Sequence, residues 1–130
     1  MTLEEAIFYK LSNTSAVSAI VGSRIYPIVL PENTQYPCIS YQIVFMERFN
    51  SMTGHLGTTT AQVQIDSWSK NATEARTLAK KVHNALNAFS GTINTLEVSC
   101  LSLSEQDFFE SDVEVYRRMQ EYQFIFTEQG

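Results

Sequence analysis

The sequence predicts an α+β fold, with helices packed on a four-stranded, mainly antiparallel sheet in the chain order α-β-β-α-β-β. Two patterns lead to this prediction. Alternating apolar and polar residues indicate half-buried strands, and one long arc of apolar residues indicates an amphipathic helix between two pairs of strands. The length of 130 residues suits one core, so residues 1–130 are expected to form a single domain.

The N-terminal segment is predicted to begin with a short helix. Thr2 and Glu5 have the spacing of a capping box, which satisfies free N–H groups at a helix start. Apolar residues follow at helical spacing, namely Leu3, Ile7 and Leu11. From Ser23 to Gln35, prolines deny a regular strand ladder, so this segment is expected to be an arm that crosses the surface.

Four strands are predicted from alternation of apolar and polar residues, over Cys38 to Arg48, Thr60 to Trp68, Leu96 to Leu103 and about Val115 to Phe126. In the first strand, the residues expected on the core face are Ile39, Tyr41, Ile43 and Phe45. Two polar residues interrupt the apolar face of the fourth strand, Arg118 and Gln120. That strand is therefore expected to extend past the core.

The segment from Ala72 to Phe89 is predicted to form the long helix, packed on the sheet together with the N-terminal helix. Its apolar residues fall on one arc: Ala72, Ala75, Leu78, Ala79, Val82, Ala85, Leu86 and Phe89. Lys80 lies on the opposite arc. At 1.5 Å per residue the helix would be roughly 27 Å long, enough to cover the sheet diagonally.

Composition argues against several classes of protein. No apolar run approaches the roughly 20 residues of a membrane span, and the acidic start is unlike a signal peptide. The protein is thus expected to be made and kept in a cytoplasm, with no membrane partner. A net charge of −5 argues against a sequence-unspecific grip on nucleic acid. Cys38 and Cys100 are expected to be buried reduced thiols, although a disulfide is left open.

The sequence offers little catalytic chemistry. His55 has no nucleophile or carboxylate at local spacing, and His83 lies at the edge between the polar and apolar arcs of the long helix, so both are interpreted as surface histidines. Asp66 is interpreted as a cross-strand polar contact. Residues 105–114 are acidic but lack the ligand spacing and turn glycine of a calcium loop. Neither a cofactor nor a metal is expected. A small enzyme or ligand-binding domain, with a pocket between sheet and helix, stays open as an alternative.

The segment VGSRIYPIVLPENTQYPCISYQ, from Val21 to Gln42, resembles the phage tail-completion family, the tail-terminator or tail-to-head joining proteins of long-tailed phages. Residues that match the family pattern are spread over the chain: Gly22, Arg24, Ile25, Tyr26, Pro27, Pro37, Tyr41, Gln64, Asp66, Trp68, Ala75, Leu86, Tyr116 and Arg117. The resemblance implies a structural protein of the virion tail and no enzyme.

In particular, the resemblance implies a hexameric ring at the head-proximal end of the tail tube. Such a ring halts growth of the tube and presents the surface that joins the head. The implied partners are further copies of the chain, the tail tube protein and a head-completion or connector protein. DNA would pass through the lumen without specific binding.

Two kinds of segment are candidates for the assembly surfaces. The long loop from Phe49 to Thr59 carries possible docking residues, Phe49, Met52, His55 and Leu56, although a disordered hairpin tip is an equal alternative. The other candidates are charged, an acidic segment (Glu105, Asp107, Glu110, Asp112, Glu114) and a basic helix (Arg76, Lys80, Lys81). These could meet between neighbouring copies, the acids could line the lumen, or both could be plain solvated faces.

Overall fold

The computed structural model describes residues 1–48 and 58–127, which form three helices and six strands. In chain order these elements are α1 (Leu3–Ser12), α2 (Ser15–Val21), β1 (Ile25–Pro27), β2 (Cys38–Arg48), β3 (Thr58–Ser69), α3 (Ala72–Leu86), β4 (Ser90–Ile93), β5 (Leu96–Glu110) and β6 (Val115–Thr127).

All six strands belong to one mixed sheet, in the order β1-β2-β3-β6-β5-β4. β1 runs parallel to β2, and the other neighbours are antiparallel. The prediction of a four-stranded sheet in the order α-β-β-α-β-β is therefore wrong. It missed both edge strands, because three or four residues are too few to show alternation, and β1 lies in the segment that was predicted to be an arm.

An extra residue in β2 changes which side chains face the core. The register shifts between Ile43 and Phe45, so that Phe45 pairs with Gln62 on the outer face and Met46 pairs with Ala61 on the inner face. Phe45 is 55% exposed, and its predicted place on the core face is wrong. A β-bulge inserts one residue and reverses the parity of all residues that follow, which simple alternation cannot anticipate.

A second bulge divides β5. Val98 and Cys100 are buried and pair with Phe126 and Phe124, but the register shifts between Ser102 and Ser104. Beyond the shift, Glu105 pairs with Gln120 and Asp107 pairs with Arg118. The inner face of β5 thus changes from apolar to acidic within one strand.

The three helices pack on one face of the sheet around a shared core. The largest fully buried side chains come from both layers: Leu3, Ile7, Leu11, Val17, Ile39, Ile65, Leu78, Leu86, Leu96, Gln120, Tyr122 and Phe124. At the start of α1, the Thr2 hydroxyl accepts from the Glu5 N–H and the Glu5 carboxylate accepts from the Thr2 N–H, both at 3.2 Å. The predicted capping box is confirmed.

The long helix is shorter than predicted, because it ends at Leu86 and not at Phe89. Asn87 adopts extended backbone angles, and its side-chain oxygen accepts from the Ser102 N–H at 3.1 Å. Ala88 then has a φ of 60°. The asparagine thus ties the end of α3 to β5, and Phe89 packs against the core from outside the helix.

The Gly22-Ser23-Arg24-Ile25-Tyr26-Pro27 motif joins α2 to the sheet. Gly22 has a φ of 59°, which a glycine adopts without the steric penalty of a side chain. Arg24 donates from Nε to the Pro37 carbonyl at 2.9 Å and from Nη2 to the Ile20 carbonyl at 3.3 Å. The arginine therefore links the end of α2 to the start of β2 and has a structural role.

Candidate assembly surfaces

Arg118 organises a charged network on the helix side of the sheet. Its Nη2 lies 2.6 Å from Glu105 Oε2, and its Nη1 lies 2.9 Å from Asp107 Oδ1. The other oxygen of Asp107 lies 3.5 Å from Arg76 Nη2 on α3. This network therefore connects β5, β6 and the outer surface of α3 within one chain.

Arg117 forms a second network on the opposite face of the sheet. It contacts Asp66 Oδ1 through Nη1 at 3.2 Å and Glu110 Oε1 through Nη2 at 2.8 Å. Its guanidinium lies over the ring of Phe108, 4.3 Å from the centroid, and near the ring of Trp68 at 5.4 Å. Asp66 lies in a cross-strand polar contact, where burial raises the pKa of its carboxyl even though Gln64 and Arg117 bond to it.

The acidic segment is thus mostly neutralised by its own chain. Glu105, Asp107 and Glu110 all pair with arginines because the β5–β6 hairpin places them beside Arg117 and Arg118. The remaining acids, Asp112 and Glu114, make no ion pair with any residue that the structure describes. Acidic and basic residues that are separate in the sequence are therefore adjacent in space. Sequence reasoning missed these ion pairs, although pairing the last two predicted strands could have revealed them.

Gln120 lies in the middle of the helix–sheet interface. It is fully buried, and its Nε2 donates to the Ala79 carbonyl of α3 at 3.0 Å and to Glu105 Oε1 at 2.8 Å. His83 of α3 faces the same carboxylate, with Nδ1 at 3.8 Å from Oε1. The prediction that β6 extends past the core at Gln120 is wrong, because the side chain is fully buried and its amide nitrogen bonds to a helix carbonyl and a carboxylate.

Acid is expected to weaken the fold through Glu105 and Asp107. Burial raises the pKa of Glu105, but hydrogen bonds from Gln120 and Arg118 outweigh it and hold that pKa below 4.5. A hydrogen bond from Arg118 likewise lowers the pKa of Asp107 below 3.8. A carboxyl whose pKa is lower in the folded state than in the unfolded state stabilises the fold when the pH is above its ordinary pKa. This stability is lost as the pH falls through the pKa of the folded state.

Urea unfolding measured from neutral pH down to about pH 3 should therefore show a falling midpoint below about pH 4.5, the ordinary pKa of glutamate. Asp66 opposes this trend, because its raised pKa favours the folded state as pH falls. In Arg118→Met the decline should be shallower than in the unaltered protein. An equally steep decline in both proteins would contradict the assignment.

The basic helix presents its charges to solvent. The Arg76 side chain is 60% exposed and forms an ion pair with Asp107. Lys80 is exposed and Lys81 is half-buried. Neither lysine makes an ion pair within residues 1–48 and 58–127. The role of both lysines at an assembly contact stays a prediction.

Among the described residues, two of the exposed apolar surfaces border a groove or cavity. The first, here called the α1–β1 patch, consists of Phe8, Ile28 and Val29 flanked by Glu4 and Glu5. It borders a groove of about 540 Å³ that is also lined by Pro27, Tyr41, Gln42 and Ile43. Apolar groups exposed next to each other are typical of protein–protein contact sites.

The second surface, the hairpin patch, consists of Phe109 and Tyr116 at the end of the β5–β6 hairpin. Their ring centroids are 5.0 Å apart. Both border a cavity of about 280 Å³ against the start of α3 that is lined by Ala72, Ala75, Arg76, Asp107, Phe108 and Arg117. The lining of this cavity combines apolar and aromatic side chains with charged ones. Sequence reasoning missed it, because it assigned the segment by its acids alone.

The predicted docking loop lies outside the described residues. Phe49, Met52, His55 and Leu56 all fall in the range 49–57. The described residues on either side are Arg48, at the end of β2, and Thr58, at the start of β3. Arg48 pairs with Thr59 in the sheet. The proposed role of this loop stays a prediction.

Both cysteines are buried free thiols, as predicted, and burial raises the pKa of each to about 12. Such thiols are poor nucleophiles because they are almost fully protonated at neutral pH. Within the described ranges, no group of three or more His, Cys, Asp or Glu side chains could hold a metal ion. None of the described helices is both long and apolar enough to cross a membrane.

Comparison with protein families gives a match over nearly the whole chain. The model of the family described as "Tail completion protein gp17" matches residues 5–127. The chain belongs to this family. The predicted resemblance is confirmed, and this tail completion protein is a structural component of the phage tail. No curated protein matches the sequence of this tail completion protein.

A solved structure has the same fold as this tail completion protein. It is a chain of the "Virion of native gene transfer agent (GTA) particle", with a TM-score of 0.80 and 16% sequence identity. The alignment covers 97% of this chain and 95% of that chain. At this identity the likeness demonstrates the shared fold.

Proposed function

We propose that this tail completion protein forms a closed ring on the head-proximal end of the tail tube, where it ends tube growth and joins the tail to the head. The observation that carries the proposal is that one copy of this chain exposes two apolar patches, the α1–β1 patch and the hairpin patch, on different parts of its surface. A ring needs two unlike, complementary surfaces on every copy, because each copy contacts its neighbours head to tail.

Ending a tube requires a further asymmetry. One face of the ring must bind the last layer of the tail tube protein, and the other must reject another layer and accept a head-completion or connector protein.

The net charge of −5 is consistent with a lumen that lets DNA pass without holding it. The layer between sheet and α3 is filled by Leu78, Val82 and Leu86, which supports a structural role over a ligand pocket there.

The decisive experiment removes the gene from a phage that encodes this protein. Electron microscopy of the lysate should then show tails of uncontrolled length that are not joined to heads, and adding the purified protein should restore joining. Tails of normal length on filled, joined heads would overturn the proposal.

Deletion of Met52 to Leu56 tests the loop separately, because a folded variant that still caps tubes would exclude these residues as the docking surface.

Electrostatic attraction at the ring contact should make assembly sensitive to salt. At about 1 M salt the Debye length is about 3 Å, so a contact between acids and the basic helix should loosen, whereas acids that line the lumen should repel less. Lys80→Glu with Lys81→Glu should likewise weaken assembly at low salt. Sedimentation velocity measures both effects. A double variant that still assembles at low salt would exclude the basic helix from the contact.

A further inference from the structure

Ile28 has an unusual conformation for its residue type. Its φ is 66°, its side chain is 68% exposed, and the next residue, Val29, is 71% exposed. The left-handed region is a genuine outlier for a β-branched residue, because the branched side chain crowds its own backbone. The backbone there is held by the Ile28 N–H, which donates to the Tyr41 carbonyl at 2.8 Å.

Stability does not explain an isoleucine at this position. A glycine or asparagine would adopt the same backbone angles with less strain, as asparagine does at Asn33 and Asn94. Burial is no compensation, since most of the side chain faces solvent. A strained backbone that displays an apolar side chain beside a groove is the kind of outlier that indicates a binding function.

We propose that the α1–β1 patch of one copy docks, through Ile28 and Val29, into the hairpin patch of a second copy. This inference rests on the proposed ring and assigns its contact surfaces. The branched aliphatic side chains would enter the cavity of about 280 Å³ beside Phe109 and Tyr116. Burial of these four exposed apolar side chains would drive the association.

Charges on one side of the hairpin patch, along α3, are complementary to those of the α1–β1 patch, whereas Asp112 and Glu114 at the turn of the hairpin have the same sign as Glu4 and Glu5. Glu4 and Glu5 line the groove beside Ile28. Arg76 lines the cavity of the hairpin patch, and Lys80 follows one helical turn later on the same face of α3. Lys80 makes no ion pair in the part of the chain that the structure describes. The basic helix therefore keeps its predicted role at the contact, with Glu4 and Glu5 as its acidic partners in place of the acidic segment.

The positions of the patches favour a ring over a symmetric pair. One patch adjoins the β1 edge of the sheet, and the other lies at the end of the hairpin formed by β5 and β6, several strands away. Because the two surfaces differ, contact between them is heterologous and leaves one free patch at each end of a pair. Closure of the series satisfies every patch.

The test compares Ile28→Gly with Ile125→Thr, which removes an apolar side chain that is 39% exposed on the uncovered face of the sheet. Native mass spectrometry should show loss of assembly for Ile28→Gly and unchanged assembly for Ile125→Thr. At concentrations where both proteins are monomeric, the melting temperature of Ile28→Gly should be equal to or higher than that of the unaltered protein, because strain is relieved. Assembly by Ile28→Gly equal to that of the unaltered protein would overturn the inference and leave the ring itself standing.

A cross-linking experiment identifies the paired surfaces directly. Copies with Val29→Cys are mixed with copies with Tyr116→Cys, and a disulfide is allowed to form while Cys38 and Cys100 stay buried. A heterodimer that appears only in the mixture is the expected result. Cross-links between two Val29→Cys copies alone would show a symmetric contact and overturn the inference. A protein that remains monomeric at every attainable concentration would overturn both this inference and self-assembly of the ring.

Discussion

Leu86→Ala is expected to lower the free energy of unfolding by about 2 to 5 kcal/mol, because the change leaves a cavity beneath α3. Leu86 is fully buried and belongs to the core cluster shared by helices and sheet. Lys80→Ala, on the solvent side of the same helix, should change the free energy by no more than about 0.5 kcal/mol. Urea unfolding followed by circular dichroism measures both values.

The contrast between the two variants is the informative result. Equal losses would mean that α3 does not pack on the sheet through the face that contains Leu86. The same curves also test the expectation of a single domain, since one cooperative transition is expected for the whole chain. Two separate transitions would contradict that expectation.

Arg117→Met is expected to cost about 3 to 5 kcal/mol at neutral pH, because it strands a buried carboxylate without its partner. The Asp66 side chain is only 8% exposed, and Arg117 provides its ion pair. Burial already raises the pKa of Asp66. Without the arginine this pKa should rise further, and a raised pKa favours the folded state as pH falls through it.

The loss in Arg117→Met should therefore shrink on mild acidification, while pH stays above the range in which Glu105 and Asp107 titrate. Adding Asp66→Asn to Arg117→Met should restore much of the stability at neutral pH, because the uncompensated charge is gone. Denaturant midpoints of the three proteins across pH provide the comparison. A loss that is independent of pH and unaffected by Asp66→Asn would assign the role of Arg117 to its packing against Phe108 and Trp68.

Long elements were predictable from the sequence because each repeats its pattern many times. Cys38–Arg48 was predicted with its observed bounds, and the start of α3 at Ala72 was also correct. Its end was not, because Asn87 stops the helix through a hydrogen bond to Ser102, a residue distant in sequence. The strands β1 and β4 depend on a neighbouring strand for their hydrogen bonds, so their few residues carry little local signal.

The candidate surfaces were predictable only in part. The availability of Lys80 follows from helical periodicity alone, since it lies opposite the apolar arc. The pairing of Glu105 and Asp107 with Arg118 depends on the register of two strands and on a bulge, which one sequence does not specify. The exposure of Ile28 depends on a positive φ that isoleucine disfavours, so the residue pattern offered no reason to expect this conformation.

The bulge in β5 makes one residue of this strand dispensable. Removing Leu103 would close the register shift between Ser102 and Ser104 and leave every later pair unchanged, because Ser104 would follow Ser102 directly and still pair with Glu121. Glu105 and Asp107 would stay beside Gln120 and Arg118. Removing Leu103 together with Ser104 would instead shift the register by one residue, turn Gln106 inward beneath α3 and exchange the two surfaces of the hairpin.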